Sequence, residues 1–107
     1  MKKTSQSTSG TSYHGIEIKV NPDTIFDVLG EPSWVGRCSE EKVWFQWAME
    51  TETGHVFSVY DYKRPRSAWN MDTIRLHIGA HSKEVSIEAF LELSEAIEKH
   101  TTHASTN

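Results

Sequence analysis

The sequence contains few residues that form covalent or metal cross-links. A single cysteine, Cys38, occurs in 107 residues, so no disulfide can form within this chain. No Cys pair occurs at a zinc-motif spacing. His77 and His81 are four residues apart, but Gly79 lies between them and they span the end of a predicted strand, not one face of a helix. We therefore expect no bound metal and no other cofactor.

Long apolar runs and catalytic motifs are also missing. No stretch approaches the roughly 20 apolar residues of a membrane span, and the first ten residues have no apolar signal segment. The six glycines are scattered and form no phosphate-binding loop. No nucleophile-elbow motif surrounds Cys38 or any serine. These absences favour a non-enzymatic, cytoplasmic protein without a membrane partner.

Positive charge is in the minority. The chain has 11 Lys and Arg against 15 Asp and Glu, for a net charge of -4. Because non-specific nucleic-acid affinity comes from a basic surface, we do not expect direct nucleic-acid binding. The cations are nevertheless uneven, since Lys63, Arg64 and Arg66 fall within four residues and Arg75 follows soon after. This basic segment could hold a small anion, or it could be a solvated loop.

Hydropathy patterning predicts an α+β fold. Alternation of apolar and polar residues indicates four strands, at residues 13–20, 42–50, 55–62 and 73–79. The loop between the second and third strands contains Gly54, which predicts an antiparallel hairpin. We expect the order β-α-β-β-β-α, with a mainly antiparallel four-stranded sheet and both helices on one face.

Two helices are indicated by their boundaries. A short helix is predicted to begin with Asn21 as its N-cap and Pro22 at its first helical position. Gly30 marks its C-terminal end. An amphipathic pattern predicts a longer helix over residues 82–99. Residues 1–11 and 100–107 are polar, so we predict disordered tails around a single domain of residues 12–99.

Aromatic and cationic side chains concentrate around the predicted hairpin. One sheet face covered by two helices does not have room for all of these rings, including Trp69, although burial of each ring singly remains an alternative. Trp, Tyr and Arg together suit stacking against a nucleotide-like ligand, and they equally suit a contact with another protein. The candidate ligand-binding residues are Trp44, Tyr60, Tyr62, Lys63, Arg64, Arg66, Arg75 and His77.

A second hypothesis concerns the polar side of the long helix. A row of carboxylates can imitate a nucleic-acid backbone and so block a DNA- or RNA-binding protein by protein–protein contact. The same row could instead be the solvated face of an amphipathic helix. The candidate interface residues in this alternative are Glu84, Glu88, Glu92 and Glu95.

Several short motifs resemble a group of small uncharacterised proteins encoded by phages and other viruses. The motifs are Gly10-Thr11-Ser12 with Gly15, Gly30-Glu31-Pro32, Trp47, Tyr60-Asp61-Tyr62-Lys63 and His77-Ile78-Gly79. The chain departs from the group at Leu76, where Trp is usual, and at Ala80, where Gly is usual. The resemblance implies a viral accessory protein that binds and inactivates a component of the host cell. A homodimer through a sheet edge is compatible with the pattern but not required by it.

Overall fold

The structure, a computed structural model, confirms the α+β class. It describes residues 1–37 and 42–105, so Cys38 lies outside the described residues. The strands are β1 (Lys2–Lys3), β2 (Ser12–Val20), β3 (Trp34–Val35), β4 (Phe45–Glu50), β5 (Val56–Tyr60) and β6 (Ile74–Ala80). The helices are α1 (Pro22–Leu29) and α2 (Lys83–Ser105), with a 3-10 turn at Arg66–Asn70.

The sheet is antiparallel and has the strand order β1-β4-β5-β6-β2, with β3 also paired to β4. Its four longer strands, β2, β4, β5 and β6, correspond to the four that the alternation predicts. The prediction of four strands in all was too low, because β1 and β3 have two residues each and are too short to show a periodicity. Both added strands pair with the outer edge of β4 and cover it.

Helix α1 has the boundaries that the sequence predicts. Asn21 Oδ1 accepts hydrogen bonds from the backbone N–H groups of Asp23 and Thr24 at 2.9 and 3.2 Å. Gly30 ends the helix with a φ of 78°, a left-handed conformation that glycine adopts at little cost. The Gly30 carbonyl accepts a hydrogen bond from Trp47 Nε1 at 2.9 Å, so the end of α1 is fixed to the sheet.

The core lies between one face of the sheet and the two helices. The alternate residues of β4, β5 and β6 that point to this face include Trp47, Phe57 and Leu76, all fully buried. Buried residues of both helices belong to the same cluster, which places α1 and α2 on one face as predicted: Ile25, Leu29, Ala89 and Leu93. Burying this apolar surface is the main stabilising contribution to the fold.

Trp69 belongs to this core and not to a binding surface. Its ring packs edge-on against Phe26 and Phe45, with ring centroids 5.8 and 4.8 Å apart. Its Nε1 donates a hydrogen bond to Oδ2 of Asp61, whose side chain is fully buried. The other carboxylate oxygen of Asp61 accepts from the backbone N–H groups of Trp44 and Phe45, both at 2.9 Å. One buried carboxylate therefore links β4, the end of β5 and the 3-10 turn.

The first residues of the chain pair with the sheet and pack against the core. Lys2 and Lys3 pair with Glu50 and Met49 of β4, and Met1 packs against the core cluster. Residues 4–11 then connect opposite edges of the sheet. The Thr4 and Ser7 hydroxyl oxygens accept hydrogen bonds from nearby backbone N–H groups, and the Thr11 hydroxyl donates to the Thr8 carbonyl. The polar composition of this segment predicts a disordered tail, and apolar content alone does not register local bonds of this kind.

The long helix also runs further than predicted. It continues past residue 99 to Ser105, because no glycine or proline interrupts the chain there. His100 Nε2 lies 3.4 Å from Asp27 Oδ2, which connects this extra turn to α1. Within the described ranges, no helix combines the length and hydropathy that crossing a membrane would require.

Candidate ligand-binding site

Among the described residues, no helix covers the sheet face opposite the core, and we call it the open face. The N-terminal segment of residues 4–11 crosses part of it. Directly paired residues of antiparallel strands project to the same side. The pairings therefore define one row of side chains across five strands, from β3 to β2: Trp34, Gln46, Tyr60, His77 and Glu17. None of the five is fully buried. The row provides aromatic and hydrogen-bonding groups along the whole width of the sheet.

Three tyrosine rings surround the imidazole of His77. Tyr13 stacks on it with ring centroids 3.9 Å apart and planes 13° apart. Tyr62 lies 5.6 Å away with its plane inclined by 30°, and Tyr60 lies 5.6 Å away edge-on. Glu17 Oε1 is 3.5 Å from His77 Nε2. We call these five residues, Tyr13, Glu17, Tyr60, Tyr62 and His77, the His77 cluster.

An irregularity in β2 builds one side of this cluster. Tyr13 pairs with Gly79 and Glu17 pairs with His77, so three residues of β2 lie opposite one residue of β6. Gly15, in the middle of this bulge, has a φ of 87°, which a residue with a Cβ adopts only at a cost. The bulge brings Tyr13 and Glu17 together, and the Tyr13 hydroxyl donates to Glu17 Oε1 at 2.9 Å. Bulges often redirect side chains at functional sites.

A glycine in β6 makes room for another member of the cluster. A Cβ added to Gly79 would lie 2.9 Å from Ser58 Oγ and 3.3 Å from Cε1 of the Tyr60 ring. The absent side chain therefore allows the Tyr60 ring to lie over the centre of the sheet. Half-burial raises the pKa of the Tyr60 hydroxyl, with a smaller contribution from Tyr62, so this hydroxyl stays a hydrogen-bond donor.

The protonation of His77 follows from its surroundings. Burial lowers the pKa of His77 below its ordinary value of 6.5, the Glu17 carboxylate opposes that shift, and Arg64 reinforces it. The neutral imidazole is therefore favoured at neutral pH. The pKa of Tyr13 is raised, first by its hydrogen bond to Glu17. At neutral pH the cluster thus presents uncharged rings with one carboxylate.

Cations border the cluster at the same end of the sheet. Lys63 Nζ lies 5.3 Å from the centre of the Tyr62 ring. Arg75 lies on the same face as His77, and its direct cross-strand partner is Lys19. Like charges in this arrangement repel. In the part of the chain that the structure describes, neither Lys19 nor Arg75 has an ion-pair partner. Among the described residues, this end of the open face therefore has more cations than carboxylates, with Glu17 beside Lys19, Lys63 and Arg75.

The opposite side of the open face forms a groove beside β3 and β4. Its volume is about 460 Å³, and Trp34, 42% exposed, stands at its wall. Thr8 of the crossing N-terminal segment forms part of the lining, which is completed by Ser33, Lys42, Val43, Gln46 and Ala48. Gln46 belongs to the row that leads to His77, so the groove and the His77 cluster are parts of one continuous surface.

The structure brings together six of the eight candidate ligand-binding residues. They are Tyr60, Tyr62, Lys63, Arg64, Arg75 and His77. Trp44 is half-buried and packs against the core cluster. Arg66 lies 4.9 Å from the centre of the Phe45 ring, on the core side of the sheet, because it begins the turn that carries Trp69 inward.

Sequence reasoning missed five residues of the open face: Tyr13, Glu17, Lys19, Trp34 and Gln46. Glycine inside an alternating strand is a bulge signal, so Gly15 could have indicated that neighbouring side chains are redirected. Trp34 had no such signal, because it is placed by a strand of two residues. Its position depends on pairing with β4, which local patterns do not encode.

The carboxylates of the alternative interface are largely used within the fold. Glu88 accepts hydrogen bonds from Thr53 Oγ1 at 2.9 and 3.1 Å and lies 3.2 Å from His55 Nδ1. A hydrogen bond from Thr51, followed by those from His55 and Thr53, lowers the pKa of Glu88. Glu92 accepts from the backbone N–H of Glu52. Glu95 pairs with Lys99 and Glu84 is exposed. The helix therefore does not present a free row of four carboxylates.

Among the described residues, no group of three or more His, Cys, Asp or Glu side chains could hold a metal ion. Comparison with protein-family models, with curated proteins and with solved structures finds no match to this chain. The open face combines flat rings, an imidazole and, among the described residues, more cations than carboxylates, which suits a planar ligand with negative charge.

Proposed function

We propose that this protein is a non-enzymatic binding protein whose open face holds a nucleotide-like anion. The observation that carries the proposal is the His77 cluster with its adjacent cations. Three tyrosine rings converge on one imidazole on the side of the sheet opposite the helices, and Lys19 and Arg75 lie beside them, with no ion pair among the described residues.

Each part of the ligand has a complementary group. A base can stack against the exposed Tyr62 ring, which is 37% exposed, as aromatic side chains do in single-strand binding proteins. A phosphate can accept hydrogen bonds from Arg64 and Arg75, whose guanidinium groups suit bidentate contacts. Glu17 lies beside Nε2 of His77, so the other ring nitrogen, Nδ1, can form one hydrogen bond with the ligand.

The resemblance to phage-encoded proteins extends this proposal to a biological role. A protein that holds a nucleotide-like ligand in the host cytoplasm would sequester it from a host factor. The alternative hypothesis is that the protein inhibits a host protein by direct contact instead of sequestering a ligand. The contacts of Glu88 and Glu92 within the fold count against placing such a contact on helix α2.

The proposal is tested by titrating the protein with AMP, ATP and inorganic phosphate while measuring binding by calorimetry. We expect Arg64→Gln combined with Arg75→Gln to weaken nucleotide binding by about tenfold or more, since hydrogen bonds to charged groups contribute about 1.5–3 kcal/mol each. Arg66→Gln is the matched control, because Arg66 lies on the core side beside Phe45 and should leave affinity unchanged.

Two results would contradict the proposal. The first is the absence of binding to any of these nucleotides at millimolar concentration. The second is an equal loss of affinity in the Arg66→Gln control and in the double variant, which would mean that only overall charge matters. Thermal unfolding of each variant should match the parent chain, since all three arginines lie at least partly in solvent.

A further inference from the structure

We propose that the open face binds a short single-stranded oligonucleotide, laid across the strands from the Lys19 and Arg75 end to the groove beside Trp34. This inference rests on the proposed function and specifies its ligand. The His77 cluster would then bind one nucleotide, and the Trp34 groove would bind another nucleotide of the same strand.

The size of the surface favours more than one nucleotide. The row from Glu17 to Trp34 crosses four strand spacings, which corresponds to about 19 Å at about 4.8 Å per spacing. Consecutive stacked nucleotides are separated by about 3.4 Å, so a mononucleotide covers only part of this row. Tyr60 and Gln46 are direct cross-strand partners, so the row passes from one to the other without an intervening strand.

The groove at the far end has the features of a base-binding subsite. Its volume of about 460 Å³ is within the range of small-ligand pockets. Trp34 provides an exposed indole, and the Gln46 amide and the Ser33 and Thr8 hydroxyls provide groups for hydrogen bonds with base edges. Lys42 adds a cation at its lining. These are the chemical groups that recognise unpaired bases.

The local charge supports the same ligand despite the net charge of -4. Lys19, Lys63 and Arg75 border the His77 cluster, where Glu17 is the opposing carboxylate. The cross-strand pair Lys19 and Arg75 costs stability in the free protein, and phosphates of a bound strand would remove that repulsion. Conflicts of this kind between local preference and fold are expected at functional sites. The net charge of the whole chain predicts no direct nucleic-acid binding. A short single strand, however, would contact only the cations around the His77 cluster.

A duplex is not the expected ligand. Base pairing hides the edges and faces that Trp34 and Tyr62 would contact, and only single strands leave them free for stacking. RNA and DNA single strands share this chemistry, so both belong in the test.

The test uses fluorescence anisotropy with labelled hexanucleotides of uridine and of thymidine, alongside UMP, TMP and a hexamer duplex. We expect the hexanucleotide to bind at least tenfold more tightly than the mononucleotide. Trp34→Leu should weaken the hexanucleotide about tenfold, the effect of losing one stacked base, and leave mononucleotide affinity within about twofold. Val35→Ala is the matched control in the same strand, because Val35 pairs with Phe45 and projects to the other face.

The outcomes separate the two proposals. If mononucleotides bind but the hexanucleotide binds no more tightly, or if Trp34→Leu changes nothing, the oligonucleotide inference is wrong and the proposed function stands. If the duplex binds as well as the single strand, the inference is also wrong. If neither mononucleotides nor hexanucleotides bind, both proposals fail together.

Discussion

Replacement of Asp61 tests how the fold positions the tyrosines of the site. Asp61 lies between Tyr60 and Tyr62 and is fully buried, and its carboxylate accepts from three N–H donors. In Asp61→Asn one amide oxygen can keep the two backbone donors. The amide NH₂ then faces Trp69 Nε1, so two donors meet and the indole N–H loses its acceptor.

The expected loss can be worked from these contacts. An unsatisfied buried donor costs about 1–3 kcal/mol, and replacing charged with neutral acceptors adds about 1 kcal/mol. Asp61→Asn should therefore lower the free energy of unfolding by about 2–4 kcal/mol, out of a typical total of about 5–15 kcal/mol. Asp61→Ala leaves all three donors without acceptors and should cost more, up to loss of the folded state.

The assay is urea unfolding followed by tryptophan fluorescence and circular dichroism. Trp69→Phe supplies a partner variant, because it removes the donor that Asp61→Asn leaves unsatisfied while keeping an apolar ring in the core. Asp61→Asn should cost about 1–2 kcal/mol less in the Trp69→Phe background than in the parent chain. A change of less than about 0.5 kcal/mol for Asp61→Asn in the parent chain would refute the assigned role of the carboxylate.

Further predictions concern pH and the glycine of β6. Burial lowers the pKa of His77, so the folded state binds the imidazole proton less tightly than the unfolded state does. The free energy of unfolding should therefore fall as the pH drops below 6.5. In urea unfolding, His77→Gln should reduce this dependence of stability on pH. The pKa of Glu88 is also lowered, so the stabilisation from its carboxylate should be present above pH 4.5 and lost on further acidification. Glu88→Gln should therefore reduce the fall in the free energy of unfolding below pH 4.5. Gly79→Ala should cost about 1–3 kcal/mol and weaken nucleotide binding by displacing Tyr60, and Ser58→Ala should recover part of the stability.

The sequence predicts those parts of the fold that depend on local patterns. Alternation of apolar residues in Ile74–Ala80 and the cap formed by Asn21 and Pro22 each specify their element without knowledge of the rest. The two-residue strands β1 and β3 have no such pattern. They exist because the outer edge of β4 offers unpaired backbone groups, and that edge is known only once the sheet is assembled.

The candidate site likewise contains residues that local sequence predicts and residues that only the assembled sheet brings into place. Tyr60, Tyr62 and His77 were predicted because aromatic residues and cations are close in sequence around one hairpin. Trp69 shows the limit of that reasoning, since the same composition suits a core ring whose indole N–H finds a buried carboxylate. Tyr13 and Trp34 reach the open face through a bulge and a short strand pairing. Their contribution is set by three-dimensional register, which composition does not contain.

The most direct test of the account is a nucleotide titration followed by the amide NMR signals of the labelled protein. The account predicts that TMP shifts the signals of the strand residues around Tyr60, Tyr62 and His77, and that the thymidine hexanucleotide extends these shifts to Trp34 and Gln46. Shifts concentrated on the outer face of helix α2, or no shifts at millimolar TMP, would contradict it.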